Sequence, residues 1–431
     1  MKILLANLPF GRKIQRDFGC PHTVKADYYW PPVDLLAFGA ILNGIAELEY
    51  LDSIIISMKR EQFIDEVIRI NPDHIFAVTS SITLKDDLAV FSELKNLLPE
   101  VKIWATGDVI FFEDKIYEGI DFHVRDFTNK RAILDLFVGN AATGVVEHDP
   151  SPEYSIGICP HEIVMKYCYA MPYSLYAPVS IALTNYGCPF KCKFCNSNKL
   201  TFKKRNLNEI IADLKHGQNV GIKEFFFRDF TFGIPQIEQL CDEIINKGIN
   251  IRWSCEIRVD VVDEPTLKKM KTSGCYLIFY GVETGTDEVL ANMNKGFTIS
   301  KVKESIKKTN ALGIETLLSF IFGLPGEDIE ATTDLIFDLD PDYVSINLFV
   351  PRVGSVIRNE MRIDDNAYNT DSLFSSSVLI KKRNSVERRF FFGPSKLARY
   401  LYLATKSPFR IKIFLKNAFG LLKRSFVNAS V

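Results

Sequence analysis

Residues 179–195 read VSIALTNYGCPFKCKFC. The first half, Val179–Thr184, has the continuous apolar character of a strand buried on both faces. The second half places Cys188, Cys192 and Cys195 at C-x3-C-x2-C spacing in a loop directly after that strand. Three thiolates at this spacing can converge on one iron–sulfur cluster. Three ligands rather than four leave one iron of a [4Fe–4S] cube open to a non-protein ligand. Two other readings compete: buried cysteines that only fill a core, and zinc, which normally takes four protein ligands in a structural site. The loop holds no fourth Cys or His, and His216 is the last histidine in the chain.

Working outward, strand and helix signals alternate from 179 onward. Strands are predicted at Val179–Thr184, Glu224–Arg228, Ile251–Ile257, Tyr276–Gly281, Thr316–Phe322 and Tyr343–Phe349. Helices are predicted between them at Leu207–Leu214, Pro235–Lys247, Glu264–Thr272, Asp287–Asn292 with Lys301–Leu312, and Ile329–Leu339. One β/α unit every ~29 residues fits this spacing. Six units are too few for a closed eight-stranded barrel, so a partial (β/α)6 TIM-type barrel is expected, with its chemistry at the C-terminal rim. Residues 1–140 alternate as well, with strands predicted at Lys2–Asn7, Asp52–Ser57, His74–Thr79, Val101–Ala105 and Phe122–Val124. That pattern predicts an α/β fold, a doubly wound parallel (Rossmann-like) sheet whose ligand edge lies at Leu8–Gly11, Thr79–Thr83 and Thr106–Asp108. Residues 141–178, rich in Pro and small polar residues, read as a linker. Residues 356–431 read as a basic, aromatic helical extension.

Composition narrows the function classes. At 431 residues and 47% hydrophobic, the chain is globular and long enough for two or three domains. The net charge of −1 hides an asymmetry: from Lys381 onward there are 13 Lys+Arg against one acidic residue, Glu387, a local +12, which leaves −13 on the rest. No run of about 18 apolar residues predicts a membrane span, and the opening MKILLANLPFGRK is too soon interrupted to read as a secretory signal. Nine cysteines, an odd number, without an export signal do not read as a disulfide framework. A cytosolic location is expected.

The cysteine segment resembles the cluster loop of the radical S-adenosylmethionine (SAM) superfamily, including the aromatic Phe194 before the last cysteine. RDFTF at Arg228–Phe232, WSCEIRVD at Trp253–Asp260, GCYLIFYGVETGTDEVL at Gly274–Leu290, FIFGLPGE at Phe320–Glu327 and PRVGS at Pro351–Ser355 resemble the successive strand signatures of one branch. That branch carries an N-terminal cobalamin-binding domain and includes anaerobic magnesium-protoporphyrin cyclase-like enzymes and radical SAM C-methyltransferases. NPDHIFAVTSS and VKIWATGD in residues 1–140 resemble such a domain. Here Thr106-Gly107-Asp108 stands where a Gly-Gly pair is usual, and no D-x-H-x-x-G motif offers a histidine to cobalt.

The resemblance implies a [4Fe–4S] cluster on Cys188, Cys192 and Cys195. It implies SAM contacts from Phe194, Asp229, Arg258, Glu283, Gly323 and Leu324, and cobalamin contacts at Thr79, Ser80, Thr106 and Gly107. It further implies a small-molecule or lipid-like substrate and a reductant such as flavodoxin or ferredoxin. C-methylation of an unactivated carbon is the expected reaction. Radical cyclisation or rearrangement, and a non-catalytic partner subunit, are the alternatives. From position alone, Arg258 and Glu283 read either as ligand contacts or as a structural ion pair at the rim. The remaining cysteines read as core residues, with Cys20 and Cys168 in loops able to approach the site. The cationic, aromatic C-terminus has two readings: packing on the barrel, or peripheral contact with an anionic inner-membrane surface. Nucleic acid is not expected as a partner.

Overall fold

The computed structural model describes the chain except residues 20, 25–28, 140, 364–376, 414 and 416–431, and gives the backbone alone at 198. Cys20 and the last part of the basic C-terminus therefore lie outside the described residues. The chain divides into two compact units. The first comprises 1–170, 178–187 and 199–222, the second 171–177, 188–198 and 223–431.

The first unit holds a six-stranded parallel sheet. Its strands are β1 (Lys2–Asn7), β2 (Glu47–Asp52), β3 (His74–Val78), β4 (Lys102–Thr106), β5 (Phe122–Val124) and β6 (Gly144–Val146), in the order β2-β1-β3-β4-β5-β6. β1 is sequestered almost throughout, as a central parallel strand covered by helices must be. In register, Asn7 lies opposite Asp52 and Val78, and Val78 opposite Thr106. The strand order reverses between β1 and β3, the place where doubly wound sheets take ligands.

Two expectations for this unit are corrected. The second strand ends at Asp52 instead of beginning there. The Asp52 carboxylate accepts from the backbone N–H of Ile54 and Ile55 at 3.0 and 3.1 Å, which turns the chain so that the apolar run Ile54–Ile56 cannot extend as a strand. Residues 141–178 are not structureless: they contain β6, a short strand at Glu153–Tyr154 and a 3-10 turn at His161–Lys166.

A second sheet runs in chain order through β7 (Val179–Ala182), β8 (Glu224–Phe227), β9 (Arg252–Ile257), β10 (Cys275–Glu283), β11 (Glu315–Phe322) and β12 (Tyr343–Leu348). The pairings from β8 to β12 are parallel, as a partial barrel requires. Local signals start the intervening helices. Asp263 caps the helix Glu264–Thr272 by accepting from the Thr266 N–H, with proline in the first turn.

The C-terminal segment forms helices Ser377–Phe391 and Pro394–Ala404. Its cations are paired with carboxylates of the same unit: Lys382 with Glu330, Lys396 with Asp340, Arg399 with Asp342, and Lys406 and Arg410 with Glu315. Phe390, Tyr400 and Leu403 are buried. Glu315 and Asp342 stand at the N-terminal ends of β11 and β12, so this segment closes the face of the barrel opposite the rim that carries the cysteine loop. Five of the ten described cations from Lys381 onward are thus paired within the unit, as the packing reading expects.

Candidate functional site at the barrel rim

The cysteine loop, 188–198, is held by backbone contacts to the ends of neighbouring elements. The Lys193 N–H donates to the Met293 carbonyl at 3.0 Å, the Asn294 side-chain amide donates to the Lys191 carbonyl at 2.8 Å, and the Ile357 N–H donates to the Lys193 carbonyl at 3.0 Å. Cys188 and Cys192 are buried and Cys195 is partly so. Burial pushes the Cys195 thiol up to about 11 and raises Cys188, where the Arg258 and Lys295 cations pull the other way. Metal ligation requires the thiolates, so loading this loop releases protons.

Phe194 packs against a buried apolar cluster of Val289, Met293, Leu324, Phe349 and Ile357. Two of the expected SAM contacts, Phe194 and Leu324, are thus brought together from positions far apart in sequence. Gly323 adopts φ 92, open to glycine at little cost. Its N–H and that of Leu324 donate to one oxygen of Glu327, at 2.5 and 3.3 Å, while Thr332 Oγ1 donates to the other at 3.0 Å. Burial lifts the Glu327 carboxyl to about 7 against these three hydrogen bonds. Glu327 therefore shapes the Gly323–Gly326 turn from beneath. It lies inside a quoted motif, yet its role was not visible without the fold.

Glu283 ends β10 at φ 76, beside a register shift between Gly281 and Glu283. A bulky residue held in this left-handed region costs of order 1–3 kcal/mol, and such strain concentrates at functional sites. Its carboxylate pairs with Lys295 at 3.0 Å, both side chains buried. The Lys295 ammonium also lies 5.6 Å from the Phe194 ring centre and 5.2 Å from that of Phe297. Lys295 was missed from sequence because a single lysine after a short helix carries no pattern. Asp229 is fully buried just beyond β8. Arg258 faces the cysteine loop, with Nη1 3.5 Å from Cys192 Sγ. The guanidinium is clamped by Asp260 at 3.0 and 2.8 Å.

In the first unit, the positions expected to contact cobalamin lie at the ends of β3 and β4. Thr79, Ser80 and Thr106 have no exposed surface. Thr79 Oγ1 donates to Asp87, Ser80 bonds Thr83, and Thr106 donates to the Val124 carbonyl. Gly107, at φ 129, passes so close to Thr79 that an added Cβ would lie 2.0 Å from its carbonyl oxygen. These four residues build the edge of the sheet, with the three hydroxyl side chains bonded inside the protein. Asp108 accepts from Ser81 N and Oγ at 2.8 and 2.6 Å. At the switch point itself, fully buried Arg16 bonds Asn7 Oδ1 at 2.9 Å, the Leu8 carbonyl at 2.5 Å and Asp87 at 2.7 Å.

Among the described residues, Cys159, His161 and Asp213 bring three ligating atoms within 4.8 Å. Asp213 already accepts from Arg205 at 2.9 Å, His161 at 3.1 Å and the Cys159 N–H at 2.7 Å. The Arg205 cation supplies the positive charge this cluster needs, and the group is structural.

Comparison with known proteins gives the same picture. Residues 183–339 match the radical SAM superfamily. An uncharacterized methyltransferase of Pyrococcus horikoshii is 25% identical over 387 residues, covering 82% of each chain. The bacteriochlorophyllide d C-12(1)-methyltransferase of Chlorobaculum tepidum is 25% identical over 54% of this chain and 53% of its own. Among solved structures, the radical SAM methyltransferase TsrM of Kitasatospora setae, solved with tryptophan substrate and a SAM analogue, superposes with a TM-score of 0.62 at 17% identity, over 84% of this chain and 76% of that one. The cobalamin-dependent radical SAM enzyme OxsB gives 0.57 at 18% identity, over 90% of this chain and 56% of that one. The three-cysteine loop on the rim of the partial barrel thus lies in the stretch that matches the radical SAM superfamily, within a fold shared with TsrM and OxsB.

Proposed function

We propose that the protein methylates an unactivated carbon of a small-molecule substrate. Cys188, Cys192 and Cys195 would hold a [4Fe–4S] cluster, and Glu283, Phe194, Leu324 and the Gly323–Gly326 turn would hold SAM beside it. The observation that carries this reading is the three-thiol loop seated on the same rim as the strained Glu283 and its Lys295 partner. The donor set suits the cluster: three thiols from one loop leave an iron for the amino and carboxylate groups of SAM. When bound, the cluster supplies the single electron that splits SAM into methionine and a 5′-deoxyadenosyl radical. The chain's part is to bind, orient and keep out water. The Gly323–Gly326 turn brings backbone close enough to lie along a flat ring. Phe194 and Leu324 close the apolar side, and Glu283 offers a carboxylate to hydroxyl or ammonium groups. Electrons would come from a flavodoxin- or ferredoxin-type reductant.

Methylation is supported by the methyltransferase names of relatives that align over half or more of this chain. A corrinoid on the first unit would supply the methyl carrier, as its fold likeness to TsrM and OxsB suggests. The inward-turned Thr79, Ser80 and Thr106 and the Arg16-filled switch point favour a second reading, in which the rim performs a cyclisation or rearrangement without corrinoid. The deciding experiment is anaerobic reconstitution with iron, sulfide and excess hydroxocobalamin, followed by iron, corrinoid and 5′-deoxyadenosine assays on one sample. Cluster, corrinoid and 5′-deoxyadenosine together support methylation. Cluster and 5′-deoxyadenosine without corrinoid give the second reading, and a cluster without 5′-deoxyadenosine formation leaves a non-catalytic subunit.

A peripheral membrane contact belongs to the same proposal, narrowed by the fold. Leu397, Leu401, Tyr402, Ile411 and Leu415 remain exposed on the C-terminal segment, Leu401 at 60% and Tyr402 at 56%. This outward set, with neighbouring cations, would meet an anionic surface and suit a lipid-like substrate. Co-sedimentation with anionic vesicles should fall with salt and with Leu401→Glu/Tyr402→Glu; sedimentation unchanged by that pair removes the contact.

A further inference from the structure

The Arg258 guanidinium is fixed on every side. Asp260 grips Nε and Nη2 at 3.0 and 2.8 Å, and Nη2 also donates to the Lys295 carbonyl. Its plane lies over the Phe190 ring, 3.8 Å from the centroid, with the Phe297 ring at 5.1 Å. The residue is 7% exposed. What remains is Nη1, directed at Cys192 Sγ from 3.5 Å. A planar fork held bidentately and stacked on an aromatic ring is the use for which lysine cannot replace arginine.

We propose that Arg258 is a redox-tuning residue, donating an N–H to the Cys192 sulfur and raising the reduction potential of the cluster this loop holds. The inference rests on the radical SAM reading above. Reduction adds one electron to a site that already carries three thiolates, with no proton to balance it. A hydrogen bond to a ligand sulfur and a fixed nearby cation both favour the more negative, reduced state, and more strongly where burial limits screening by water. Lys295, paired to Glu283 within the same rim, adds a second cation whose charge is largely offset by its carboxylate. Arg258 is likewise paired, but Asp260 holds the fork from the side away from Nη1. The Asp260 clamp therefore acts as a positioning device: it sets which nitrogen reaches sulfur.

The test uses full-length protein reconstituted anaerobically as wild type, Arg258→Met, Arg258→Lys and Asp260→Asn. Iron and sulfide are counted, and the midpoint potential is measured by redox titration followed by electron paramagnetic resonance. SAM affinity is measured separately on the oxidised cluster. Arg258→Met should carry a full cluster whose reduction equilibrium is about tenfold less favourable, a shift of about 59 mV to more negative potential for one electron. SAM affinity should stay within about threefold. Asp260→Asn should shift the potential in the same direction by less. If Arg258→Met fails to hold a cluster, Arg258→Lys takes its place and should show a smaller negative shift, because it loses the fork's bond to sulfur but keeps a cation. An unchanged potential in the cluster-loaded variants overturns the proposal. So does a large loss of SAM affinity at unchanged potential, which returns Arg258 to the SAM carboxylate. A wild-type protein that assembles no cluster overturns the parent reading, and this one with it.

Discussion

Replacing Glu283 separates a ligand contact from a structural one, because its carboxylate has a single identified charged partner. In Glu283→Ala the buried Lys295 loses a carboxylate at 3.0 Å. Breaking a buried pair by removing one member costs about 3–5 kcal/mol. The ammonium keeps its ring contacts at 5.6 and 5.2 Å, each worth about 0.5–1 kcal/mol, so the low end, about 3 kcal/mol, is expected. The double variant Glu283→Ala/Lys295→Met removes the stranded charge and should recover stability to within about 1 kcal/mol of wild type. SAM affinity should behave differently. A lost hydrogen bond to the ligand costs about 1–3 kcal/mol, or about five- to 150-fold, and Lys295→Met cannot restore it. Urea unfolding followed through Trp253, which lies in the same unit, reads stability. Calorimetric SAM titration of the cluster-loaded protein reads affinity. If the double variant recovers both stability and SAM binding, Glu283 acts only as the counter-ion of Lys295, and the contact is refuted.

Three further outcomes follow from the geometry. Changing Cys188, Cys192 and Cys195 together to Ala should abolish iron–sulfur absorbance and SAM cleavage; full retention of iron and sulfide would falsify the cluster assignment. Arg410→Met removes a bidentate bond to Glu315, both nitrogens at 2.9 Å, and two bonds to the Tyr173 carbonyl. It should cost about 2–4 kcal/mol, discounted because Lys406 still reaches Glu315, and a loss under 1 kcal/mol in urea unfolding contradicts the packing role of the C-terminus. Burial raises the Glu224 carboxyl from 4.5 to about 7. The folded state therefore holds a proton that the unfolded chain releases, and this group's contribution falls by about 3 kcal/mol as pH rises from about 4.5 to 7. Glu224→Gln keeps its carbonyl on the Leu175 and Tyr176 N–H groups and turns its amide to the Tyr276 hydroxyl. It should flatten that slope, and an identical pH profile in the variant rules the group out.

The sequence alone determined the architecture and the cysteine loop, because both are written locally. Strand and helix periods recur along the chain, and C-x3-C-x2-C lies within eight residues of one loop, so neither needs long-range contacts to be seen. Helix ends were legible at Glu264–Thr272, Asp287–Asn292 and Ile329–Leu339, where caps are adjacent in sequence. The strand at Glu47–Asp52 was misplaced because the Asp52 carboxylate, accepting from backbone N–H groups two and three residues on, turned an apolar run. Only the tertiary structure decided how side chains are spent. Arg258 reaches a sulfur 66 positions away, Arg410 a glutamate 95 away, and Arg16 an aspartate 71 away. A buried polar group must be satisfied wherever the fold offers a partner, and that partner's place along the chain follows no period. For this reason Thr79, Ser80 and Thr106, correctly placed on the sheet edge, turned out to be bonded inward, and Lys295 emerged only once β10 and the turn at 293–298 lay side by side.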